Sequence, residues 1–432
     1  MKKLLIISYF FPPCNLTASQ RVFSWARYFH LFNIYPIIIT RRWDLPIKHM
    51  GDANQISGPE LQIEKHEHYE VHYLPYTGSK RDRLLQQKST LSSTILRKFL
   101  TLFEQVTQFF NVTSIPYSNF YSYAKQLIKK EQIDLLVISA NPYPQFYFGY
   151  LLKKEFPKLN WFADYRDDWN TKELTKSSLF SRIIKAYEVF FEKKYLHQAS
   201  AFFCVSDMIT QRIEQLVGTK GYTIANGYFE EEYAQLAPVQ EDPKQFTVVY
   251  TGQIYEEQDF SLFLTAFKKA IQHFGDEINL HIHFIGATFY PSTCTYLNGI
   301  LEGYSKQYTL HDRMSYMDCM QLEHQADLLL MVAYGNLKGI PSSKLYNYVG
   351  FQKPVMCCPS DADIIDETLT TCGVGYCTSD ADEAFTLLQS LITSKIKGTL
   401  KLETRKKMNT FEIEKLSRRK QTEVLASILQ QY

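Results

Sequence analysis

Short apolar runs separated by longer stretches of mixed polarity dominate the first half of the chain. The runs have the length of buried strands, and they are Leu4–Ser8, Pro36–Thr40, Leu135–Ser139, Trp161–Ala163 and Ala201–Val205. The stretches between them are long enough for helices. This alternation is typical of a parallel sheet covered by helices, so the pattern predicts an α/β fold.

The same alternation begins again after Asn226 and Gly227. Four further runs predict the strands of a second sheet: Thr247–Tyr250, Leu280–Ile285, Leu328–Val332 and Val355–Cys358. Between the two series, residues 230–244 are charged and poor in large aliphatic side chains, as a linker would be. The domain boundary is therefore expected near residues 225–245.

The length of the chain also favours two domains, because 432 residues exceed what one ordinary core organises. We place the first domain at residues 1–225 and the second at 226–409, each Rossmann-like and doubly wound. A helical stretch at 410–432 could cross back to the first domain. Two such domains facing each other would bind ligands at the carboxyl ends of their strands, in the cleft between them.

Charge and cysteine content argue against a nucleic-acid-binding protein, a disulfide-rich protein and a zinc protein. A net charge of +2 gives no drive toward nucleic acid, which needs a concentrated basic surface. The 8 cysteines form no C-x-x-C pair, and several lie in apolar runs, where reduced cysteine behaves as a small hydrophobe. We therefore expect neither a disulfide framework nor a zinc site.

The amino terminus imitates a signal peptide, with two lysines followed by an apolar run. Pro12 and Pro13 interrupt that run and no small-residue cleavage site follows, so a buried first strand is the favoured interpretation. No stretch approaches the about 18 uninterrupted apolar residues of a membrane span. A cytoplasmic protein is expected.

Residues 90–110 have apolar positions near helical spacing, with Arg97 and Lys98 beside them. Four basic residues precede them: Lys80, Arg81, Arg83 and Lys88. A basic amphipathic helix can lie on an anionic membrane, which would place the protein at the inner face of the cell membrane through residues 80–110. The alternative is a helix that packs on its own domain, as most amphipathic helices do.

Residues 339–350 carry the most informative chemistry. Small residues lead to a hydroxyl N-cap at Ser342 or Ser343, and Lys344 follows in the first helical turn. Free backbone N–H groups, the positive end of the helix dipole and an ammonium suit a diphosphate. The segment is a candidate nucleotide-sugar site, and the alternative is a capped helix with a solvated lysine.

Two spacings suggest a metal ion but have simpler interpretations. His68 and His72 lie in a strand-like alternation, which would not bring both rings to one ion. The D-x-D pairs that begin at Asp361 and Asp380 precede helical stretches, where aspartate is favoured as a cap. No metal site is predicted.

Several segments in both halves of the chain occur together in the order of a known family. They are Ser8–Pro13, Ser19–Arg21, Ser139–Tyr143, Asp164–Trp169, Val205–Asp207, Ile224–Gly227, Tyr250–Gly252 and Ser343–Tyr346. Together they resemble the GT-B glycosyltransferases of the family 4 type, retaining enzymes that build bacterial capsule, O-antigen and exopolysaccharide. The resemblance covers nearly the whole chain.

The resemblance implies a donor site in the second domain. Gly252 and Gly286 would let backbone approach a phosphate, and Gln253 would bond a phosphate or a sugar hydroxyl. The full donor-binding set is Gly252, Gln253, Gly286, Gly339, Ile340, Pro341, Ser342, Ser343, Lys344, Leu345 and Asn347. Lys344 is also assigned a catalytic role, because it would stabilise the leaving diphosphate.

The chain departs from the family at two places in this site. Many relatives carry an arginine and a lysine as phosphate clamps, where this chain has Gln258 and Asp259. The family's two glutamates, spaced E-x7-E, are replaced by Gly339 and Asn347. Asparagine keeps a donor and an acceptor but loses the stronger charge-assisted bond to a ribose hydroxyl.

A second charged cluster lies in the first domain. Asp164, Arg166 and Asp167 stand at a strand end and are assigned catalytic roles, with a salt-bridge network bracing a loop as the alternative. The resemblance assigns acceptor binding to Pro12, Pro13, Ser19, Arg21 and Asn141.

The function implied is transfer of a sugar from a nucleotide-diphosphate sugar to a glycan or lipid-linked acceptor, with retained anomeric configuration. The donor is a substrate, and neither a cofactor nor a metal ion is expected. Two alternatives are an inactive nucleotide-sugar-binding scaffold and a nucleotide-sugar 2-epimerase.

Overall fold

Two sheets, one of eight strands and one of six, form the framework of the computed structural model in its described residues. The structure describes residues 1–45, 47, 52, 54–85, 91–171 and 178–432. The chain divides into two compact units, residues 1–225 with 421–432, and residues 226–420. The predicted α/β class with two parallel-stranded sheets is confirmed.

The first unit has the strand order β3-β4-β2-β1-β5-β6-β7-β8. Neighbouring strands are parallel except for the antiparallel pair β3 and β4. The strands are β1 Lys2–Ser8, β2 Ile34–Arg41, β3 Gln62–Lys65, β4 Glu70–Leu74, β5 Leu135–Ala140, β6 Asn160–Tyr165, β7 Ala201–Cys204 and β8 Gly221–Thr223. The helices are α1 Ala18–Tyr28, α2 Lys80–Leu85, α3 Leu91–Thr107, α4 Asn119–Glu131, α5 Gln145–Glu155, α6 Leu179–Leu196 and α7 Asp207–Val217, with 3-10 turns at Phe29–Phe32 and Val112–Ser114.

The second unit has the all-parallel order β11-β10-β9-β12-β13-β14. Its strands are β9 Gln245–Thr251, β10 Asn279–Ile285, β11 Tyr308–His311, β12 Leu328–Met331, β13 Val355–Cys357 and β14 Gly375–Cys377. Its helices are α8 Glu230–Tyr233, α9 Ser261–Phe274, α10 Pro291–Ile300, α11 Tyr316–Gln325, α12 Ser343–Gly350, α13 Ile364–Cys372, α14 Ala381–Ile396, α15 Leu400–Lys407 and α16 Thr410–Lys415, with a 3-10 turn at Ala287–Phe289.

Continuous apolar runs become strands because helices cover both faces of each sheet. In β1, Leu5 and Ile7 belong to one core cluster, whereas Leu4 and Ile6 belong to another. Successive side chains on a strand point to opposite faces, so both faces must be apolar here. The apolar run near the amino terminus, which imitated a signal peptide, is therefore strand β1, buried between the two core layers of the first unit.

The end of the chain differs from the single helix predicted from about Thr410 onward. Helix α16 ends at Lys415, and α17 spans Arg418–Leu429. The backbone between them bonds to Tyr228, whose N–H donates to Leu416 and whose carbonyl accepts from Arg418, so the helix is interrupted there. The later part of α17 belongs to the first unit and buries Leu425 and Leu429 in its core.

Among the described residues, no helix has the length and apolar character needed to cross a membrane. The predicted helix at 90–110 corresponds to α3, and the basic residues Lys80, Arg81 and Arg83 lie in α2. Lys88 and Thr90 fall outside the described residues.

Candidate functional site

Two glycine turns lie side by side at the carboxyl ends of β9 and β10. Gly252 and Gly286 both have positive φ, of 104° and 83°, a conformation that favours glycine. The N–H of Gly252 donates to the carbonyl of Ile285 at 2.9 Å. A Cβ built on Gly286 would lie 3.9 Å from the Cα of Gly252. Backbone is therefore open to a ligand at this edge of the second sheet.

Helix α12 brings Lys344 to the same place. A Cβ built on Gly252 would lie 3.5 Å from the Nζ of Lys344. That Nζ donates to the hydroxyl of Tyr250 at 2.8 Å and lies 3.9 Å from the centre of its ring. The interpretation of Lys344 as a solvated lysine is wrong, because the side chain is partly buried against the tyrosine.

The surroundings of Lys344 lower its pKa to about 7. Desolvation is the largest cause, and the nearby groups of Glu323 and Cys319 oppose it. Burial likewise raises the pKa of Glu323 to about 7, with hydrogen bonds from Thr251 and Cys319 acting in the other direction. An anion bound beside Lys344 would favour the ammonium and raise its pKa again.

Glu323 is a residue that the sequence analysis missed. It lies on α11 and is buried, with the Sγ of Cys319 at 3.7 Å from its Oε1. The same Sγ lies 3.7 Å from the Oγ1 of Thr251, the last residue of β9. Nothing in the local sequence distinguishes this glutamate from the solvated acids of other helices, because its burial depends on how α11 packs against β9.

The start of α12 differs from the predicted hydroxyl cap. Ser342 occupies the N-cap position, but within the described residues its hydroxyl makes no capping bond. Its carbonyl instead accepts the N–H of Leu345 at 3.0 Å. Ser343 is the first helical residue, directly before Lys344. The hydroxyl of Ser342 therefore does not compete with a ligand for the N–H groups of the first turn.

Gly339 is held by an aspartate. It has a φ of 74°, and its N–H donates to the carboxylate of Asp363. Of the residues that follow, Ile340 is half-buried and Pro341 is buried. The loop before α12 is thus tied to the start of α13.

Tyr250 organises the residues beneath the ammonium. Its hydroxyl donates to the carbonyl of Gln253 at 3.1 Å and lies 3.2 Å from the Oε1 of Gln258. The buried Gln258 also accepts the N–H of Tyr255 at 3.2 Å and donates to the carbonyl of Val332 at 2.8 Å. Gln258 therefore supports the floor of the site and does not replace a phosphate clamp.

Asn347 follows the lysine by three residues on α12, so the two side chains share one helical face. Its carbonyl accepts the hydroxyl of Tyr233 at 2.8 Å. Leu345 points elsewhere, because its side chain is fully buried in the core. The structure thus brings together Gly252, Gly286 and Lys344, places Asn347 on the helical face of Lys344, and leaves Leu345 out of the surface of the site.

The first aspartate of each D-x-D pair caps a helix, as predicted. Asp361 accepts the N–H of Ile365 at 2.8 Å, and Asp380 accepts those of Asp382 and Glu383 at 2.9 Å each. Among the described residues, no group of three histidine, cysteine, aspartate or glutamate side chains is arranged to hold a metal ion.

In the first unit, Arg21 and Asp164 form a buried ion pair. The Nη2 of Arg21 lies 2.8 Å from Asp164, and its Nε also donates to the same carboxylate. Asp164 accepts a further bond from the hydroxyl of Ser139 at 2.7 Å, and Arg21 donates to the carbonyls of Ile224 and Ala225. This geometry matches the bracing network that the sequence analysis gave as the alternative.

Arg166 is also used for support. Its guanidinium donates to the carbonyls of Ala18, Ala140 and Asn141 at 2.7–2.8 Å. It also lies 5.1 Å from the ring of Phe10. Arg166 therefore joins the loops after β1 and β5 to the loop after β6.

Asp167 is the exposed carboxylate of this cluster. Its carbonyl accepts the hydroxyl of Tyr143 at 2.9 Å, which holds its backbone. The side chain of the neighbouring Asp168 stabilises the local backbone, because it accepts the N–H of Thr171 at 2.7 Å. Of the three predicted catalytic residues in the first unit, Asp167 is the one that faces solvent.

The predicted acceptor residues fall into two groups. Pro13 and Asn141 are exposed and Pro12 is half-buried, at the carboxyl ends of β1 and β5. Ser19 is buried, and its hydroxyl donates to the carbonyl of Leu16 at 2.7 Å. Ser19, like Arg21, therefore serves the local backbone.

A buried carboxylate, that of Glu192, stabilises the loop after β6 through two hydrogen bonds. Glu192 on α6 accepts the amide of Asn170 at 2.7 Å and the hydroxyl of Tyr165 at 2.8 Å. Burial raises its pKa to about 7. The sequence analysis missed Glu192, since it lies in an ordinary amphipathic helix far along the chain.

No family model matches the sequence, and no curated protein matches it. Solved structures do resemble it over their whole length. A trehalose-phosphate synthase from Burkholderia xenovorans has a TM-score of 0.65 at 9% identity, with 100% of both chains covered. A sucrose-phosphate synthase from Thermosynechococcus elongatus has a TM-score of 0.63 at 13% identity, covering 100% of this chain and 99% of that one.

A glycosyltransferase from Rickettsia africae ESF-5 has a TM-score of 0.62 at 10% identity, covering 100% of this chain and 98% of that one. The predicted resemblance to GT-B glycosyltransferases is therefore confirmed at the level of the fold. The chain has the GT-B fold, built from two Rossmann-like units.

Proposed function

We propose that the protein is a retaining glycosyltransferase that takes a sugar from a nucleotide-diphosphate sugar. The observation that carries the proposal is the position of the Lys344 ammonium above the Gly252 turn, next to the first turn of α12. One structural neighbour, the trehalose-6-phosphate synthase from E. coli, was solved with UDP-2-fluoro glucose. A donor of that chemical class fits a site made of open backbone and one cation.

The proposed chemistry follows from the charge of the leaving group. When the bond between the anomeric carbon and the diphosphate breaks, negative charge grows on the phosphate oxygens. Lys344 and the N–H groups at the start of α12 would stabilise that charge, which is the role a metal ion plays in other transferases. We therefore propose a metal-independent reaction without a covalent enzyme intermediate.

For the acceptor we propose the carboxyl edge of the first sheet. Asp167, Asn141 and Pro13 are exposed there, whereas Asp164 and Arg21 are bonded to each other below the surface. In this proposal, Asp167 meets an acceptor hydroxyl, and the buried pair keeps the loop in position. A glycan or lipid-linked acceptor in cell-surface polysaccharide synthesis agrees with the motif resemblance.

We also propose that the protein works in the cytoplasm at the inner face of the cell membrane, with contact through residues 80–110. Helices α2 and α3 in this region carry basic residues, and α3 also carries exposed apolar side chains. Such helices bind at the membrane interface without spanning it.

The test is release of nucleoside diphosphate from UDP-, GDP- and other nucleotide sugars, with and without lipid-linked or glycan acceptors. Acceptor-dependent release that is lost in Lys344→Ala and kept in Lys306→Ala, an exposed lysine of the same unit, supports the proposal. Donor binding with no release under any condition would indicate a scaffold. Conversion of the donor to an isomeric nucleotide sugar without acceptor would indicate an epimerase.

A further inference from the structure

Helix α3 presents a row of apolar side chains to solvent. Ile95, Phe99, Leu102 and Phe103 are all exposed, and Phe99 is 64% exposed. Their spacing of three and four residues places them along one face of the helix. Single exposed apolar residues are ordinary, but an aligned set marks an interaction surface.

Helix α6 repeats the pattern, although the sequence analysis gave it no such role. Leu179, Phe180, Ile183 and Phe190 are exposed, and Leu179 reaches 74%. These residues also follow helical spacing, so they form a second apolar row.

The two rows adjoin at the end of α3. The ring of the buried Phe191 lies 5.1 Å from that of Phe190 and 6.5 Å from that of Phe110, and the latter two rings are exposed. The hydroxyl of Tyr187 on α6 also donates to the carbonyl of Val106 on α3. The exposed faces of α3, Phe110 and α6 are therefore treated as one surface, called here the α3–α6 surface.

The charges around the α3–α6 surface favour an anionic partner. The two helices carry six basic residues and three acidic ones: Arg97, Lys98, Arg182, Lys185, Lys193 and Lys194 against Glu104, Glu188 and Glu192.

The three acidic side chains are paired with other groups of the first unit or buried in it. Glu104 lies 3.5 Å from Arg81, Glu188 accepts the indole N–H of Trp169, and Glu192 is buried. In contrast, the basic residues Lys98 and Arg182 are exposed. Large apolar side chains beside exposed cations match an interfacial helix pair, since lipid tails accept the former and anionic headgroups the latter.

We propose that the α3–α6 surface docks on an anionic lipid bilayer, with both helices lying at the interface. The proposal rests on the proposed function for its choice of a bilayer as partner, because a lipid-linked acceptor lies in one. It adds α6 to the region expected from the sequence and makes Leu179, Phe180 and Phe190 part of the contact.

The test is co-sedimentation of the full chain with vesicles of phosphatidylcholine, with or without phosphatidylglycerol, in the absence of donor and acceptor. Binding to the anionic vesicles is expected, and it should weaken as salt rises. The paired variant Phe99→Ser with Phe180→Ser should lower binding by about tenfold or more, because interfacial binding scales with buried apolar area. Lys98→Glu with Arg182→Glu should lower it by about fivefold or more for each cation.

The matched control is Phe411→Ser, which removes a phenylalanine 65% exposed on α16 of the other unit and should leave binding unchanged. Melting curves confirm that each variant is folded. Absence of vesicle binding in the parent chain, or equal binding by Phe180→Ser alone and the parent, would overturn the proposal. A dimer in solution that the paired serine variant dissociates would assign the surface to a second copy and would also overturn it. Vesicle binding requires no transfer, so an inactive protein that binds vesicles refutes the proposed function alone.

Discussion

The two units each bury a cation near the carboxyl edge of their sheet, but they treat it differently. In the first unit, Arg21 is paired with Asp164, and both side chains are almost fully inaccessible. In the second unit, Lys344 lies over the ring of Tyr250, and among the described residues no carboxylate lies within ion-pair distance of it. Arg21 therefore has its counter-charge in direct contact, whereas Glu323, the carboxyl group near Lys344, lies beyond ion-pair distance.

The difference indicates that the Arg21–Asp164 pair supports the fold, whereas Lys344 is suited to binding a ligand. A buried ion pair that is fully hydrogen-bonded has no unused charge to offer a substrate, whereas removing either partner leaves a costly unpaired charge. A cation held on an aromatic ring is only partly compensated, and desolvation lowers its pKa, so an incoming anion supplies the counter-charge that stabilises the ammonium. We therefore expect stability effects from the first cluster and binding effects from the second.

The largest expected effect is on the stability of the first unit. Asp164→Ala should lower its free energy of unfolding by about 3–5 kcal/mol, because Arg21 is left buried without its partner. All four tryptophans lie in this unit, at positions 25, 43, 161 and 169, so their fluorescence during urea unfolding reports it selectively.

The exposed Asp167→Ala is the matched control and should leave unfolding nearly unchanged. If Asp164→Ala loses turnover while its unfolding curve stays that of the parent, Asp164 acts on substrate and the comparison between the two clusters fails.

Lys344→Ala should lower turnover by about 10²–10³-fold, as expected for loss of one group that stabilises charge in the transition state. The tryptophan-detected unfolding of the first unit should not change. Lys306→Ala serves as the control in the same assays. Turnover equal to that of the parent would remove Lys344 from the mechanism.

Donor binding should depend on pH through Lys344. Its pKa of about 7 in the free protein would rise when the diphosphate binds, so binding takes up a proton above pH 7. Affinity should be constant below that value and then fall by up to about tenfold per pH unit as the free lysine loses its charge. Calorimetry at several pH values measures this change in affinity. An intact nucleotide sugar is used because a free nucleoside diphosphate has a terminal phosphate that itself titrates near neutral pH.

Two variants identify the group responsible. Lys344→Arg keeps its charge at every accessible pH, so its binding should be flat across the range in which the parent changes. Glu323 titrates in the same range, with a pKa of about 7, and Glu323→Gln removes it. If the pH dependence survives in Lys344→Arg but disappears in Glu323→Gln, the glutamate is the titrating group and the assignment to Lys344 is wrong.

The smallest expected effect concerns Asn347. Asn347→Glu should weaken donor binding about two- to threefold, because a carboxylate one turn from Lys344 would pair with it and compete with the phosphate. Titration with UDP-, GDP- and other nucleotide sugars measures the change. Tighter binding of any of them would show that the ribose position of the family has been kept.

The sequence alone predicted the α/β class and the central strands of both sheets, because runs such as Leu4–Ile7 can be buried only between two helical layers. It did not predict the short strands β3, β8, β11 and β14, which lie at or near the sheet edges. It also predicted the glycine turns at 252 and 286 and the capping roles of Asp361 and Asp380. These features depend on neighbours along the chain, so a local pattern is sufficient to find them.

Only the tertiary structure decided which charged side chains are buried and bonded to other groups of the protein. Asp164 was assigned to catalysis, yet its partner Arg21 is far away along the chain and meets it only when the fold brings the first turn of α1 to the end of β6. Glu323 and Glu192 resemble ordinary surface acids until the fold buries them. The exposed row on α6 shows the reverse case, since its helical pattern resembles that of a buried face. Hydrophobic spacing determines that a helix has an apolar side, but packing determines whether that side meets a core or remains open to a partner.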